Sequence, residues 1–355
     1  MPTVTPPATP PDAPTPPRRV IVWAEPHQIP LVRAVAASAG FRVVGAGSPA
    51  KGQTGLLAAE LAADPVDDLR QALTEADADL VWLAASGDFG AAPEDARAVM
   101  AARARALRVA SLEPFPARAL DLPNAGWTTS DTPAQPIAAV RFVGLARATR
   151  AYLDAAEPLA AFGQPRTVLV ETLAPPAYGT LGARLLSAID LILALLGEPE
   201  TIDAAYTAPK HAAGLHALPG ETLHDLHGDL VATLRFPDGR AASITASNHA
   251  ARWDQTVTLL SAQGRIRLHD DAFTWLGHDG AVRDELLPPP ATRAEPRGIA
   301  AVAAELARLL DPSLPDPGPT PIPDILAVAH AALLSARTGQ PESPTTIRRM
   351  MATRI

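Results

Sequence analysis

Two lysines, Lys51 and Lys210, stand among 30 basic residues, so any step that needs an ammonium group has two candidates. Cysteine is absent, which removes disulfides, thiolate nucleophiles, iron–sulfur ligation and cysteine-based zinc sites together. Carboxylates and nine histidines are left for acid–base or binding chemistry. Three groups of them stand out. H-D-L-H-G-D, His224 to Asp229, sets two histidines three apart beside two carboxylates, a spacing that metal ligation permits. It lacks a third histidine or an H-E-x-x-H pattern, so a solvated entry to the following strand is the better expectation. N-H-A-A-R-W-D, Asn248 to Asp254, offers Asn248, His249, Arg252 and Trp253 to a polar ring compound, with sheet-edge or oligomer packing equally open. Glu25, with His27 two residues on, and Glu113 each follow an apolar strand-like run.

The elements that must position these residues fall into two textures. Val20 to Ala24, Arg42 to Ala46, Asp79 to Ala85 and Leu107 to Leu112 are short apolar runs separated by helical patterns at 31–39, 56–73 and 93–107. Such alternation predicts a parallel sheet with helices on both faces over residues 19–125. At the carboxyl edge of such a sheet Glu25 and Glu113 come together, because ligands of open α/β folds bind there. From 126 to 343 a helix at 146–161, a strand at 167–171 and a helix at 182–196 lead into an antiparallel meander. Asp238-Gly239 marks a hairpin between 229–236 and 241–247. Further strands at 256–260, 265–268 and 272–276 precede helices at 298–310 and 324–337. This is an α+β domain whose open sheet needs a cover, and a second subunit is the expected one.

Pro2 to Pro17 holds eight prolines and no basic residue, and reads as a disordered leader (1–18) rather than a targeting signal. Residues 344–355, with Arg348, Arg349 and Arg354, read as a basic tail. A formal charge of −8 without a basic stripe argues against nucleic acid as a partner. The most apolar helical stretch, 181–196, carries Arg184 and Asp190 and is short for a membrane span, so a soluble, cytoplasmic protein is expected.

The order of elements resembles the Gfo/Idh/MocA oxidoreductase family from Arg19 to about Ser343. V-A-S-L-E-P-F-P-A (Val109 to Ala117) is similar to the family's Glu-Lys-Pro strand. R-L-L-S-A-I-D-L-I-L-A-L-L-G-E-P (Arg184 to Pro199) is similar to its catalytic helix and Gly-x-Pro exit, and L-L-S-A-R-T-G-Q-P (Leu333 to Pro341) to its closing helix. The resemblance implies a Rossmann-like domain, then an α+β domain with a largely antiparallel sheet that forms the oligomer interface. It also implies an NAD(P) site and a catalytic lysine and histidine.

The departures fall on those functional positions. The first turn is W-A-E-P-H-Q, Trp23 to Gln28, instead of glycine-rich. Glu25 sets a carboxylate where phosphates belong, Pro26 removes a backbone donor and Trp23 adds bulk. After the second strand the chain reads A-G-S-P, so Ser48 replaces the acid that holds a ribose. Glu113 occupies the lysine position and Leu112 the preceding glutamate; Ala183 and Ser187 occupy the positions of an aspartate and the histidine, while Asp190 remains. Serine does not titrate near neutrality and a carboxylate cannot steady a developing alkoxide. The resemblance with these departures implies a catalytically degenerate ligand-binding, regulatory or structural subunit in a homo- or hetero-oligomer, with no cofactor expected. The alternative is an atypical NAD- or NADP-dependent oxidoreductase of a sugar, cyclitol or related alcohol, using Glu113, Asp190, His27 or His249 for acid–base work and Glu25, His27 and Ser48 at the cofactor positions. Hydrolysis or elimination by carboxylates of the same cleft is a third class.

Overall fold

The computed structural model describes residues 16–128, 135–208, 218–288, 297–311, 313–314 and 318–352. Most of the proline-rich leader, Lys210 and Arg354 lie outside them.

The first sheet grows from runs that are apolar on both faces. Strand β1 (Arg19–Trp23) buries Val20, Ile21, Val22 and Trp23 in succession, as a central strand covered on both sides must. Helix α1 (Ile29–Ala39) leads to β2 (Arg42–Gly47), α2 (Thr54–Leu61) and the two-residue β3 (Asp64–Pro65). Then come α3 (Leu69–Glu75), β4 (Leu80–Leu83), α4 (Pro93–Ala104), β5 (Arg108–Ser111), the one-turn α5 (Asp121–Asn124) and β6 (Val140–Phe142). The strands pair in parallel in the order β3-β2-β1-β4-β5-β6. This is the doubly wound order whose direction reverses between β1 and β4, leaving a crevice at their carboxyl ends. The chain stays in this sheet as far as Phe142, beyond the change of texture near residue 125.

Trp23 serves this sheet rather than its ligand edge. A Cβ on Gly47 would lie 2.2 Å from the Trp23 ring, so glycine is what lets the indole lie across β2. The bulk expected in the first turn is therefore buried, with 7% of Trp23 exposed.

The second domain wraps one face of a larger sheet around a helix. Two short helices, α6 (Arg150–Asp154) and α7 (Ala156–Phe162), replace the single one expected from the pattern. Strand β7 (Thr167–Leu173) precedes α8 (Leu181–Leu196), in which every residue from Leu181 to Ile192 is buried. A helix apolar nearly all round belongs inside, and α8 packs under β7 and β10. Strands β8 (Thr201–Thr207), β9 (Asp229–Arg235), β10 (Ala241–Ser247), β11 (Asp254–Ser261), β12 (Gly264–Leu268), β13 (Phe273–Leu276) and β14 (Val282–Leu286) complete an eight-stranded sheet. Its order is β14-β13-β12-β11-β7-β10-β9-β8, antiparallel except where β7 meets β10. On its outer face Leu169, Val231 and Leu260 are 39%, 52% and 37% exposed, with exposed Glu171, Asp229 and Arg235 on the same face.

Helix α9 (Arg297–Leu310) returns to pack on α1, tying the end of the chain to the first domain. Helix α10 (Ile322–Thr338) lies against α8 and β8. Residues Pro344–Ala352 form a further helix, α11, instead of a solvated tail. It buries Ile347 in the core, and its Arg348 bonds to Glu198 at 2.6 Å and Asp324 at 2.7 Å.

Candidate functional site

At the crevice between β1 and β4 the two domains touch. Gln28, 1% exposed, holds it shut on one side: its amide donates to the Ala84 carbonyl at 2.9 Å and to the Ala177 carbonyl at 3.3 Å. The first carbonyl ends the β4 strand and the second belongs to the second domain. Its Oε1 also accepts from the Glu25 backbone N–H at 3.0 Å, and the Gln28 N–H donates to the Glu25 carbonyl at 2.9 Å, so these two donors of the turn are used within it. Pro26 at the start of this turn has no N–H to offer. A dinucleotide crossing a Rossmann-like edge lies on free amides at this place, and here those of Glu25 and Gln28 are engaged.

Beside this bridge is a cavity of about 250 Å³. Its walls include Glu25, Asp88, Glu113 and Asp225 with His27, His224 and His227, and no lysine or arginine among the described residues. Glu113 sits at its floor, 4% exposed, two residues beyond β5. Its Oε2 accepts from the Ser86 N–H at 3.1 Å and the Ser86 hydroxyl at 3.3 Å; its Oε1 accepts from the Thr180 N–H at 3.1 Å. Gly179, just before Thr180, takes φ +96°, a conformation that favours glycine, and a Cβ on it would stand 3.2 Å from the Ala183 Cβ. Burial pushes the Glu113 carboxyl up to about 7, against the pull of the Ser86 and Thr180 backbone donors, and neighbouring Glu25 pushes the same way.

Glu25 and His27 form a half-exposed pair at the mouth, 3.2 Å apart. The hydrogen bond to His27 holds Glu25 below the usual carboxylate range, and the same bond raises His27. Across the mouth, His224 lies 3.6 Å from Asp88 and 3.3 Å from Asp225. His227 is kept below its ordinary value first by burial and then by His249. The His224-to-Asp229 segment thus belongs to the cavity wall and is more than a solvated strand entry. No group of three or more metal-ligating side chains occurs among the described residues.

Several residues singled out in the sequence lie elsewhere. Ser48 does not line the cavity; its hydroxyl accepts from the Ala50 N–H at 3.1 Å and shapes its own turn. Asp190 faces away, in a buried ion pair with Arg147, and lines a different depression with Leu193 and Gly197. Even with Arg147 beside it, burial lifts Asp190 to about 6. Ser187 is equally internal, accepting from the Ala146 N–H at 2.9 Å. His249 is exposed outside the cavity lining, with its ring 6.4 Å from that of His227. Asn248 is fully buried and joins Gly228 to the Gly179 carbonyl, so it braces the wall.

Trp253 is also internal. It covers the Arg184 guanidinium at 4.4 Å and donates to Asp270 at 3.0 Å. Arg184 is fully buried and pushed down to about 10 by burial, with Asp270, Glu305 and then Glu113 among the charges that favour its ionised form. Burial lifts Asp270 to about 7 and Glu305 to about 8.

Sequence reasoning missed Gln28, Ser86 and Thr180. A glutamine opening an otherwise apolar helix was the available signal for the first. Thr180 binds Glu113 through its backbone N–H, which leaves no trace in residue type, and Ser86 does so through its N–H as well as its hydroxyl.

No family model matches the sequence, and no curated relative does. Solved structures match nearly end to end. A myo-inositol dehydrogenase from Corynebacterium glutamicum is 14% identical at a TM-score of 0.61, over 92% of this chain and 98% of that one. The WlbA dehydrogenase from Bordetella pertussis, solved with NADH and UDP-GlcNAcA, is 18% identical at 0.56, over 92% and 99%. An oxidoreductase from Agrobacterium radiobacter, solved with NAD+, L-tartaric acid and magnesium, is 13% identical at 0.63, over 93% and 99%. At this identity the match is one of fold: the chain has the two-domain architecture of the Gfo/Idh/MocA-type oxidoreductases.

Proposed function

We propose that this chain uses the oxidoreductase fold to bind a small polar ligand in the Glu25–Glu113 cavity, without a nicotinamide cofactor and without hydride transfer. The observation that carries the reading is the cavity wall, which has four carboxylates and no lysine or arginine among the described residues. Two phosphates brought to such a wall meet like charge in a partly desolvated place, where repulsion is least screened. The Gln28 bridge supports the same reading, since it occupies the donors and the space a pyrophosphate needs. Glu113 supports it from the chemical side. A buried acid at the position of a catalytic lysine puts no positive field on a developing alkoxide.

The cavity size suits a ligand of one sugar ring or a short chain rather than a dinucleotide. The ligand is held by hydrogen bonds from its own donors to Glu113 and Glu25, and the His27, His224 and His227 rings close the mouth. Self-association through the outer face of the eight-stranded sheet, with Leu169, Val231 and Leu260, completes this reading. Light scattering on the purified chain measures it, and a monomer at all concentrations removes that part alone.

A second reading is an atypical NAD(P)-dependent oxidoreductase of a sugar or cyclitol. It is favoured by the fold match to dehydrogenases, two of them solved with NADH or NAD+, and by a carboxyl held near 7 where a base is wanted. Calorimetric titration with NAD+, NADH, NADP+ and NADPH separates the two. The first reading expects no saturable binding below millimolar concentration. Micromolar binding of any of the four replaces it with the second.

A further inference from the structure

Four backbone groups on two segments converge on two buried side chains at the crevice. One segment, 84–86, lies just past β4 in the first domain; the other, 177–180, leads into α8 in the second. Gln28 gives its amide to one carbonyl of each, Ala84 at 2.9 Å and Ala177 at 3.3 Å. Glu113 takes one N–H of each, Ser86 on Oε2 at 3.1 Å and Thr180 on Oε1 at 3.1 Å. The two side chains come from different strands, β1 and β5, and join the same two segments with opposite polarity.

Each party is held in place before they meet. The Ser111 hydroxyl donates to the Glu113 carbonyl at 2.6 Å and accepts from the Glu113 N–H at 3.2 Å, which fixes the backbone that carries the carboxyl. On the other side the Gly179 carbonyl accepts from the Asn248 amide at 3.3 Å, and Asn248 accepts in turn from the Gly228 N–H at 2.9 Å. That carbonyl and the Thr180 N–H belong to one planar peptide unit and point opposite ways, so Asn248 aims the N–H at Glu113. Thr180 is the N-cap of α8, a 16-residue helix that its own hydroxyl does not cap, and the positive end of such a helix favours a carboxyl oxygen. The Ser86 hydroxyl is the third donor, at 3.3 Å. A hydroxyl can turn to accept instead, so the same three groups suit Glu113 with or without its proton.

We propose that Gln28 and Glu113 are paired braces that hold the two domains together at the crevice, and that the Glu113 carboxyl is a tethered ligand in a three-donor seat built by both domains. The seat fixes the cavity floor whatever the cavity binds.

A tethered ligand can be replaced by a free one. Glu113→Ala removes a CH2–COO− group, for which acetate is the free equivalent, and the cavity beside the seat gives it a way in. In the full chain at pH 6.5, about 200 mM acetate in place of chloride at equal ionic strength is expected to raise the thermal midpoint of Glu113→Ala by about 2–4 °C more than that of the wild type. In Glu113→Gln the seat is full, and acetate should do no more than it does for the wild type. The Ser86 and Thr180 N–H groups, followed by NMR, are expected to exchange at least about tenfold faster in Glu113→Ala and to slow again with acetate. Gln28→Ala tests the pairing, because it leaves every Glu113 bond in place. The Thr180 N–H is nevertheless expected to exchange about three- to tenfold faster there.

If Glu113→Ala is unfolded in chloride, its refolding by acetate is the same positive result. An acetate effect on Glu113→Ala no larger than on the wild type, or an equal one on Glu113→Gln, overturns the seat. Thr180 exchange unchanged in Gln28→Ala overturns the pairing.

Discussion

Replacing Glu113 by glutamine should change how the stability of this protein depends on pH, and the size of the change follows from the burial of one carboxyl. In the unfolded chain the group titrates near 4.5, and in the folded chain burial moves it to about 7. Below the first value both states are protonated and nothing is lost. Between the two the unfolded chain sheds its proton while the folded chain keeps it, so stability falls as pH rises. Above the second value the full difference has been incurred, which at about 1.4 kcal/mol per pH unit is about 3 kcal/mol. Glutamine has no proton to lose. It does meet a mismatch, because Ser86 and Thr180 both donate to this side chain and one of them must face the amide NH2, a cost of about 1–3 kcal/mol. That cost does not vary with pH. Urea unfolding of both chains from pH 5 to 8.5 therefore should show the wild type losing about 2–3 kcal/mol relative to Glu113→Gln across the range, whatever the offset. A difference that stays level with pH, or that grows in favour of the wild type, refutes the assignment of a buried, proton-holding carboxyl at this place.

Other substitutions address the frame around the cavity. Arg184→Ala removes a fully buried guanidinium whose charge Asp270 and Glu305 favour, with its hydrogen bond to the Tyr178 carbonyl and the partner of the Trp253 face, and is expected to cost about 3–5 kcal/mol in urea unfolding at pH 8.5. The same variant should lose less at pH 5.5, below about 7 and 8, where Asp270 and Glu305 are uncharged. Gln28→Ala strips donors from the buried Ala84 carbonyl and the half-buried Ala177 carbonyl and should cost about 1–3 kcal/mol, with faster hydrogen exchange in residues 24–29 and 176–180 as the local readout. Gly47→Ala puts a methyl 2.2 Å from the Trp23 ring and 2.3 Å from the Val66 carbonyl, and is expected to destabilise by at least about 1–3 kcal/mol, read as a drop in thermal midpoint.

The fold was legible because its signals are repeated. The runs at Val20, Arg42, Asp79 and Leu107 each have the length and double-faced apolarity of a buried parallel strand, and all four are strands of the first sheet. The two-residue β3 and three-residue β6 are too short to leave a pattern. The site was legible only in part. Glu25, His27 and Glu113 come together because a strand's carboxyl end is easy to place. Asp190 was misplaced because position along a helix does not say which face turns toward the cleft, and Arg147, whose charge it meets, comes from a loop 43 residues earlier. Ser48 satisfies a backbone group two residues on and Asn248 backbone groups 20 and 69 residues away, uses that residue type alone does not distinguish from ligand binding. The part played by His227 depends on the fold of residues 222–228 against Asn248, a contact made across 21 residues.

A crystal structure grown with millimolar NADH tests the central claim most directly. The account predicts the Gln28 amide still bonded to Ala84 and Ala177, and no pyrophosphate on the turn from Ala24 to Gln28. A pyrophosphate seated on that turn, with Gln28 displaced and the nicotinamide ring against Glu113, would contradict it.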